Sequence, residues 1–465
     1  MTVSTLPAPP LPRKPWWRLM LKWTWRVALV LVVLGVAAYA VLDYRAARAI
    51  HNEITRIRAA GEPLTFGDLG SLLPRVKRDQ DAGPYYAAAT ELAIDDFGIP
   101  DPNYNAFYGR QAPAVSPEIL AQAHHSLEQN RLALELLDRG SALPGCNADI
   151  QLDCGIQVAL PHLRKVRGLL DVASLRSRVL AYDGQGDRAV KSIISALGLL
   201  RIVERQPVLI DSMVYTWILA RVSDDTRFLL DKGHPTDAAL QKLDVALRSL
   251  CLLQPRQIIL AERVYMLEIM RDIITLGSRT NADEPNGPSL PERQIMRSSL
   301  GLRLGGRIMT ANSLPDYARF INAASGDWPV VINVLQLETN KPASHLASIR
   351  RESWLRAIVM AARQVSNYRS SQIAVRIEHF RLAHGGQLPD SLAQLPNSSD
   401  LPKDPFTGND LLYVKIPDGY CIFSAGRGNP EDSNVDREKD PVAWSRRFGI
   451  HIRLDDAAAS QRRPS

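Results

Sequence analysis

Residues 171–200 read DVASLRSRVLAYDGQGDRAVKSIISALGLL. The apolar positions before Tyr182 recur every three to four residues. Gly184 and Gly186 then supply a turn, and Ala189, Ile193, Leu197 and Leu200 resume along one helical face. The stretch predicts a hairpin of two helices, over about 157–183 and 187–205. Working outward, the same period predicts helices near 116–139, 208–232, 236–252 and 255–278. Ser116-Pro117-Glu118 is a capping serine followed by proline at the first helical position. Short Gly/Pro/Asp turns between such helices make sequential neighbours antiparallel. Residues 115–345 therefore read as an α-helical domain, either an irregular hairpin stack or an ordinary bundle.

The hairpin resembles a tetratricopeptide unit, with Ala173, Tyr182 and the Gly184–Gly186–Asp187 turn carrying the likeness. No 34-residue period repeats it, so no regular array is expected.

Upstream, residues 27–42 form an uncharged run, VALVLVVLGVAAYAVL. At ~1.5 Å per residue it reaches ~24 Å, and Trp23, Trp25 and Arg26 extend it into the headgroup region. Half of the chain's eight tryptophans lie between 16 and 25. Residues 1–26 are a basic, Pro-rich tail and 27–44 a transmembrane anchor in the lipid bilayer. Five cations precede the apolar run and two follow it (Arg45 and Arg48), which predicts a cytoplasmic N-terminus at a bacterial inner membrane and a periplasmic bulk. Ala38-Tyr39-Ala40 would fit signal cleavage, but the region before it is long for a signal peptide. A stalk and irregular segment follow over 45–114, with a helix-prone stretch over 46–60 ending at Gly61 and another helix around 84–96.

Charge bears on partners. The 465-residue chain is 46% hydrophobic and 23% charged, with formal net charge +7. Residues 1–50 hold seven Lys/Arg against one acid, Asp43, which leaves a single unit of net charge for the rest. That balance argues against nucleic acid as a partner. Of four cysteines, Cys146 and Cys154 bracket a short Gly/Asn/Asp loop where a disulfide closes easily, free thiols being the alternative. Cys251 and Cys421 are left open between pairing and free thiols.

Beyond a long helix over about 348–384 and its Gly385-Gly386 stop, the pattern changes. Residues 411–416 and 420–425 (LLYVKI and YCIFSA) are β-prone and flank Pro417-Asp418-Gly419, a hairpin signal. The mainly α chain thus closes with a small α+β module over 346–450, and 451–465 read as a flexible tail. This module resembles the C-terminal part of type II secretion major pseudopilins. Asp404, Pro405, Phe406, Gly408, Tyr413, Phe423, Ser424, Gly426 and Gly428, with the loop 429–444, carry the likeness. No Glu precedes Glu53, so the leader and helix start of a pilus subunit are missing. As a whole the chain resembles bacterial membrane-anchored envelope proteins, a resemblance that implies no activity.

Catalytic and metal motifs are sparse. EDSNVDREKD (431–440) has oxygen ligands at EF-hand spacing, but Arg437 stands at the glycine position and Ala443 at the bidentate glutamate. The pseudopilin resemblance implies calcium at Asp432, Asp436 and Asp440; a solvated loop is the alternative. The histidines form no H-E-x-x-H pattern, serines no G-x-S-x-G, and glycines no phosphate-loop signature. GLRLGGR (301–307) lacks a preceding strand. No catalytic residue and no cofactor is expected. The reading is an extracytoplasmic interaction or scaffold protein, possible partners being envelope proteins; a cell-wall polymer hydrolase or binding protein is the alternative.

Overall fold

The computed structural model describes residues 16–71, 76–95, 115–147, 159–204, 209–250, 252, 254–275, 300–340, 345–426 and 439–454. The chain divides into two compact units, one of residues 1–60 and 270–315 and one of 61–269 and 316–465.

In the first unit, helix α1 (Trp16–Ala59) is unbroken for 44 residues. Anchor and stalk, two segments in the sequence reading, are one rod of roughly 66 Å. Its apolar window is long enough to cross a membrane and none of it is buried. Just past that window, Arg307 Nη1 donates to both carboxylate oxygens of Asp43 at 2.6 Å. Gly61, at φ +67°, follows the helix end in the left-handed conformation glycine tolerates.

The second unit holds α2 (Phe66–Ser71), α3 (Gly83–Leu92), α4 (Pro117–Gln129), α5 (Arg131–Ser141), α6 (Ala159–Tyr182), α7 (Gly186–Leu197), α8 (Leu200–Glu204), α9 (Leu209–Lys232) and α10 (Asp237–Arg248). Helices α11 (Pro255–Thr275) and α12 (Leu300–Ala323) contribute residues to both units. Then come α13 (Trp328–Thr339), α14 (His345–Ala383), β1 (Leu412–Ile416), β2 (Gly419–Phe423), α15 (Pro441–Phe448) and β3 (Gly449–Arg453). The α6–α7 hairpin packs on α9, and α9 packs along α14. Leu169, Ala173, Val179, Ile193, Ile218, Val222 and Ile377 are buried along these helices.

Two sequence-predicted helices are each split, where a residue distant in sequence meets the helix. The 116–139 helix breaks at Asn130, whose side chain accepts from Ile94 N and donates to Ile94 O, both at 2.8 Å. The 187–205 helix breaks at 198–199, where Tyr86 packs so closely that a Cβ on Gly198 would lie 2.4 Å from its hydroxyl. At the other end of α7, a Cβ on Gly186 would meet Gly233 O at 2.1 Å and Pro235 N at 2.8 Å. Both obstacles are backbone. Gly186→Ala is expected to lower the unfolding free energy by about 1–3 kcal/mol in urea denaturation.

The C-terminal sheet is antiparallel in the order β1-β2-β3, with β2 buried along its length. The hairpin 411–425 appears as the sequence predicts. Strand β3 and α15 were not foreseen. Residues 451–453, read as flexible tail, belong to β3, which also packs on α9 and α14. Phe448, Ile450 and Ile452 are buried, so the module is part of the core.

Asp404 explains the D-P-F-x-G turn. Its carboxylate accepts from Phe406 N at 2.9 Å, Ser424 Oγ at 2.6 Å, Thr407 Oγ1 and Ala425 N, both at 3.0 Å. Gly408, at φ +78°, closes the turn by donating to Asp404 O at 2.8 Å.

Candidate functional site

The strongest concentration of buried charge lies between α6 and α9. Asp171, Ser174 and Arg178 sit at i, i+3 and i+7 on one face of α6. Trp217, Arg221, Asp225 and Phe228 line the facing side of α9. Arg221 Nη2 donates to Asp171 Oδ1 at 2.6 Å, and Arg178 Nε to Asp225 Oδ1 at 2.6 Å. Ser174 Oγ donates to the same Asp225 oxygen at 2.7 Å. The Arg221 guanidinium lies 5.4 Å from the Trp217 ring centre, Arg167 lies 4.8 Å from it, and Arg178 covers Phe228 at 5.4 Å. Burial pushes the Asp225 carboxyl up despite the opposing arginines. These acids are enclosed by their own partners, so the ladder fixes helix register and offers no open acid–base pair.

Burial raises Asp171 to about 6 against the pull of Arg221, and Asp231 to about 6 against that of Arg227. For each, the folded carboxyl holds its proton more tightly than the unfolded one. Stability is therefore fully present below the unfolded value and declines as pH rises from about 4 to 6. Each full two-unit displacement corresponds to roughly 3 kcal/mol. His451 is held below its usual value by burial, so its contribution runs the other way, increasing toward the unfolded value near 6.5. Urea midpoints from pH 4 to 7 are expected to fall across the carboxyl window, with Asp171→Asn removing about half the decline.

The residues singled out in the sequence are dispersed. Asp432 and Asp436 lie outside the described residues. Asp440 caps α15, accepting from Ala443 N at 2.8 Å. No cluster of three or more metal-ligating side chains occurs among the described residues. Cys146 is buried and Cys154 lies outside the described residues, as does Cys251; no disulfide occurs among the described ones. Cys421 is buried in β2, which pushes its thiol up to about 11. His124 faces Asp183 at 3.4 Å, His379 contacts Asp237, and His384 stacks on Phe380, so the histidines serve separate surfaces. The acid pair Asp224-Asp225 is divided: Asp225 enters the ladder and Asp224 lines a small polar cleft.

The sequence reading missed the ladder. Its signal was there, as Asp and Arg interrupting the apolar faces of two successive helices at helical spacing. No protein family, curated protein or solved structure matches this chain.

Proposed function

We propose that the protein is a membrane-anchored interaction protein of the bacterial cell envelope, with the second unit presented on the periplasmic side and serving as a scaffold, in a secretion-associated setting. The observation that carries this is α1: a helix apolar enough to span a bilayer whose apolar residues find no cover in the fold. Trp23 and Trp25, with Arg26 stacked 5.7 Å from the Trp23 ring, suit one headgroup layer; Asp43, Arg45 and Arg48 suit the other.

A scaffold reading also agrees with the second unit's chemistry. Several of its acids are spent on arginines, as in Asp316–Arg351 at 2.8 Å and the partly buried Glu62 with Arg263 at 2.6 Å. Deleting residues 387–465 to remove a docking surface would not leave the helical part intact, because β3 packs on α9 and α14 and its loss would expose the core. A photo-crosslinker at exposed Leu337 is the better probe; an envelope protein recovered from intact cells supports the reading, and none recovered there removes the scaffold role.

Anchoring has its own test. Leu34→Arg is expected to oppose insertion by about 3 kcal/mol, moving protein from the carbonate-resistant membrane fraction to the soluble fraction. A reporter at residue 454 should be active only outside the cytoplasm; activity only inside reverses the orientation.

A further inference from the structure

The uncharged run of α1 ends at Leu42, and the next two turns carry Tyr44, Arg45 and Arg48, all exposed. At ~1.5 Å per residue, Arg45 and Arg48 stand ~4.5 and ~9 Å beyond Leu42. The headgroup layer on each side of a bilayer is ~5–8 Å thick. Helical side chains lean toward the N-terminus, which here is toward the hydrocarbon. Arg48 does so: its Nη1 donates to the Tyr44 hydroxyl, one turn back, at 3.5 Å. Both guanidinium groups are thereby carried at headgroup depth.

Neither cation is neutralised. Asp43, the sole acid before Glu53, is taken by both bonds from Arg307 Nη1, and Glu53 by Arg56 at 2.7 Å. Asp43 also lies about 200° and 140° around the helix from Arg45 and Arg48. No carboxylate among the described residues pairs with either arginine.

The two arginines line a groove of about 590 Å³, open to one side, with Ala40, Val41, Tyr44 and Ala49. That volume falls within the ~300–1,000 Å³ of small-molecule sites. The lining is graded along α1: Ala40 and Val41 lie at the hydrocarbon end, Tyr44 and the cations at the aqueous end. A phospholipid has the same order along the membrane normal, acyl chains first and phosphate after. The charge then selects among phospholipids. A zwitterionic headgroup brings its own cation to its phosphate, whereas a phosphatidylglycerol-type headgroup brings a net negative charge to a fork of guanidinium donors.

We propose that the Tyr44–Arg45–Arg48 face of α1 recognises an anionic phospholipid of the phosphatidylglycerol type, in the leaflet where the helix leaves the bilayer. The inference rests on the anchor reading and deepens it, from a helix that spans a membrane to a face that selects its lipid.

The test uses full-length protein in phosphatidylcholine bilayers with a trace of spin-labelled phosphatidylglycerol or spin-labelled phosphatidylcholine. Electron paramagnetic resonance measures how much of each label the protein immobilises. Phosphatidylglycerol is expected to be held about two- to fivefold more strongly, and Arg45→Gln/Arg48→Gln should lower that ratio at least about twofold. Arg56→Gln/Arg58→Gln removes the same charge ~15–20 Å farther out, about two Debye lengths, and should leave the ratio unchanged. The N-terminal cations are the same in both variants, so the difference between them belongs to the exit face. An unchanged ratio in the Arg45/Arg48 variant overturns the proposal, and so does an equal loss in the Arg56/Arg58 variant. A selectivity that vanishes as protein is concentrated in the bilayer puts a second copy on this face and also overturns it. Carbonate extraction keeps the two readings apart. Protein that stays in the membrane without lipid selectivity sinks this inference alone, and wild-type protein extracted into the soluble fraction sinks the anchor with it.

Discussion

Asp404→Ala is expected to lower the unfolding free energy by about 3–5 kcal/mol, among the larger effects a single substitution can have. The carboxylate is buried and accepts from two backbone amides and two hydroxyls. Alanine removes every acceptor at once, and each buried donor left unsatisfied costs about 1–3 kcal/mol, reduced where water or relaxation reaches it. Asp404→Asn keeps one oxygen but turns an amide donor toward existing donors, so about 2–3 kcal/mol is expected. Urea denaturation of the two variants checks both values. A loss under about 1 kcal/mol for alanine would mean the turn is held by its Pro and Gly alone.

Arg178→Leu is expected to cost about 3–5 kcal/mol, because it strips the nearly inaccessible Asp225 carboxyl of its closest cation. The companion Arg178→Leu/Asp225→Leu is expected to recover most of that loss. Two leucines need no compensating charge, and the desolvation that raises Asp225 disappears with the carboxyl. The double-mutant cycle thus distinguishes a ladder that specifies register from one that merely tolerates its charges. If the double variant is as unstable as the single, Arg178 acts chiefly by packing over Phe228.

Periodicity alone identified the helical hairpin 171–200, the long helix ending at Gly385 and the β-hairpin around Asp418. Each is a local pattern, apolar residues every 3.6 positions or a turn between β-prone runs. Two things were less legible. Helix breaks at Asn130 and Gly198 depend on contacts with Ile94 and Tyr86, distant in sequence. Strand β3 is only five residues long, and its partner β2 ends at Phe423, far back in the sequence, with α15 between them. The small polar cleft beside Asp224 was illegible for the same reason: Arg227, Arg446 and Arg453 line it only through tertiary packing. The D-P-F-x-G motif was noticed for its likeness to another family. Its physical content, a carboxylate organising four donors, required the position of Ser424 and Ala425 twenty residues on.

The bond from Arg453 N to Asp231 spans 222 residues. At synthesis rates of roughly 5–20 residues per second, α9 emerges on the order of 10–40 s before the strand that covers it. Once α14 has followed, and until β3 arrives, the nascent chain carries an open groove on α9 and α14, a natural target for holding chaperones or for a premature edge-to-edge mistake. Maturation of this fold is set by the arrival of its final strand, and the yield of native protein should follow how well the waiting groove is guarded.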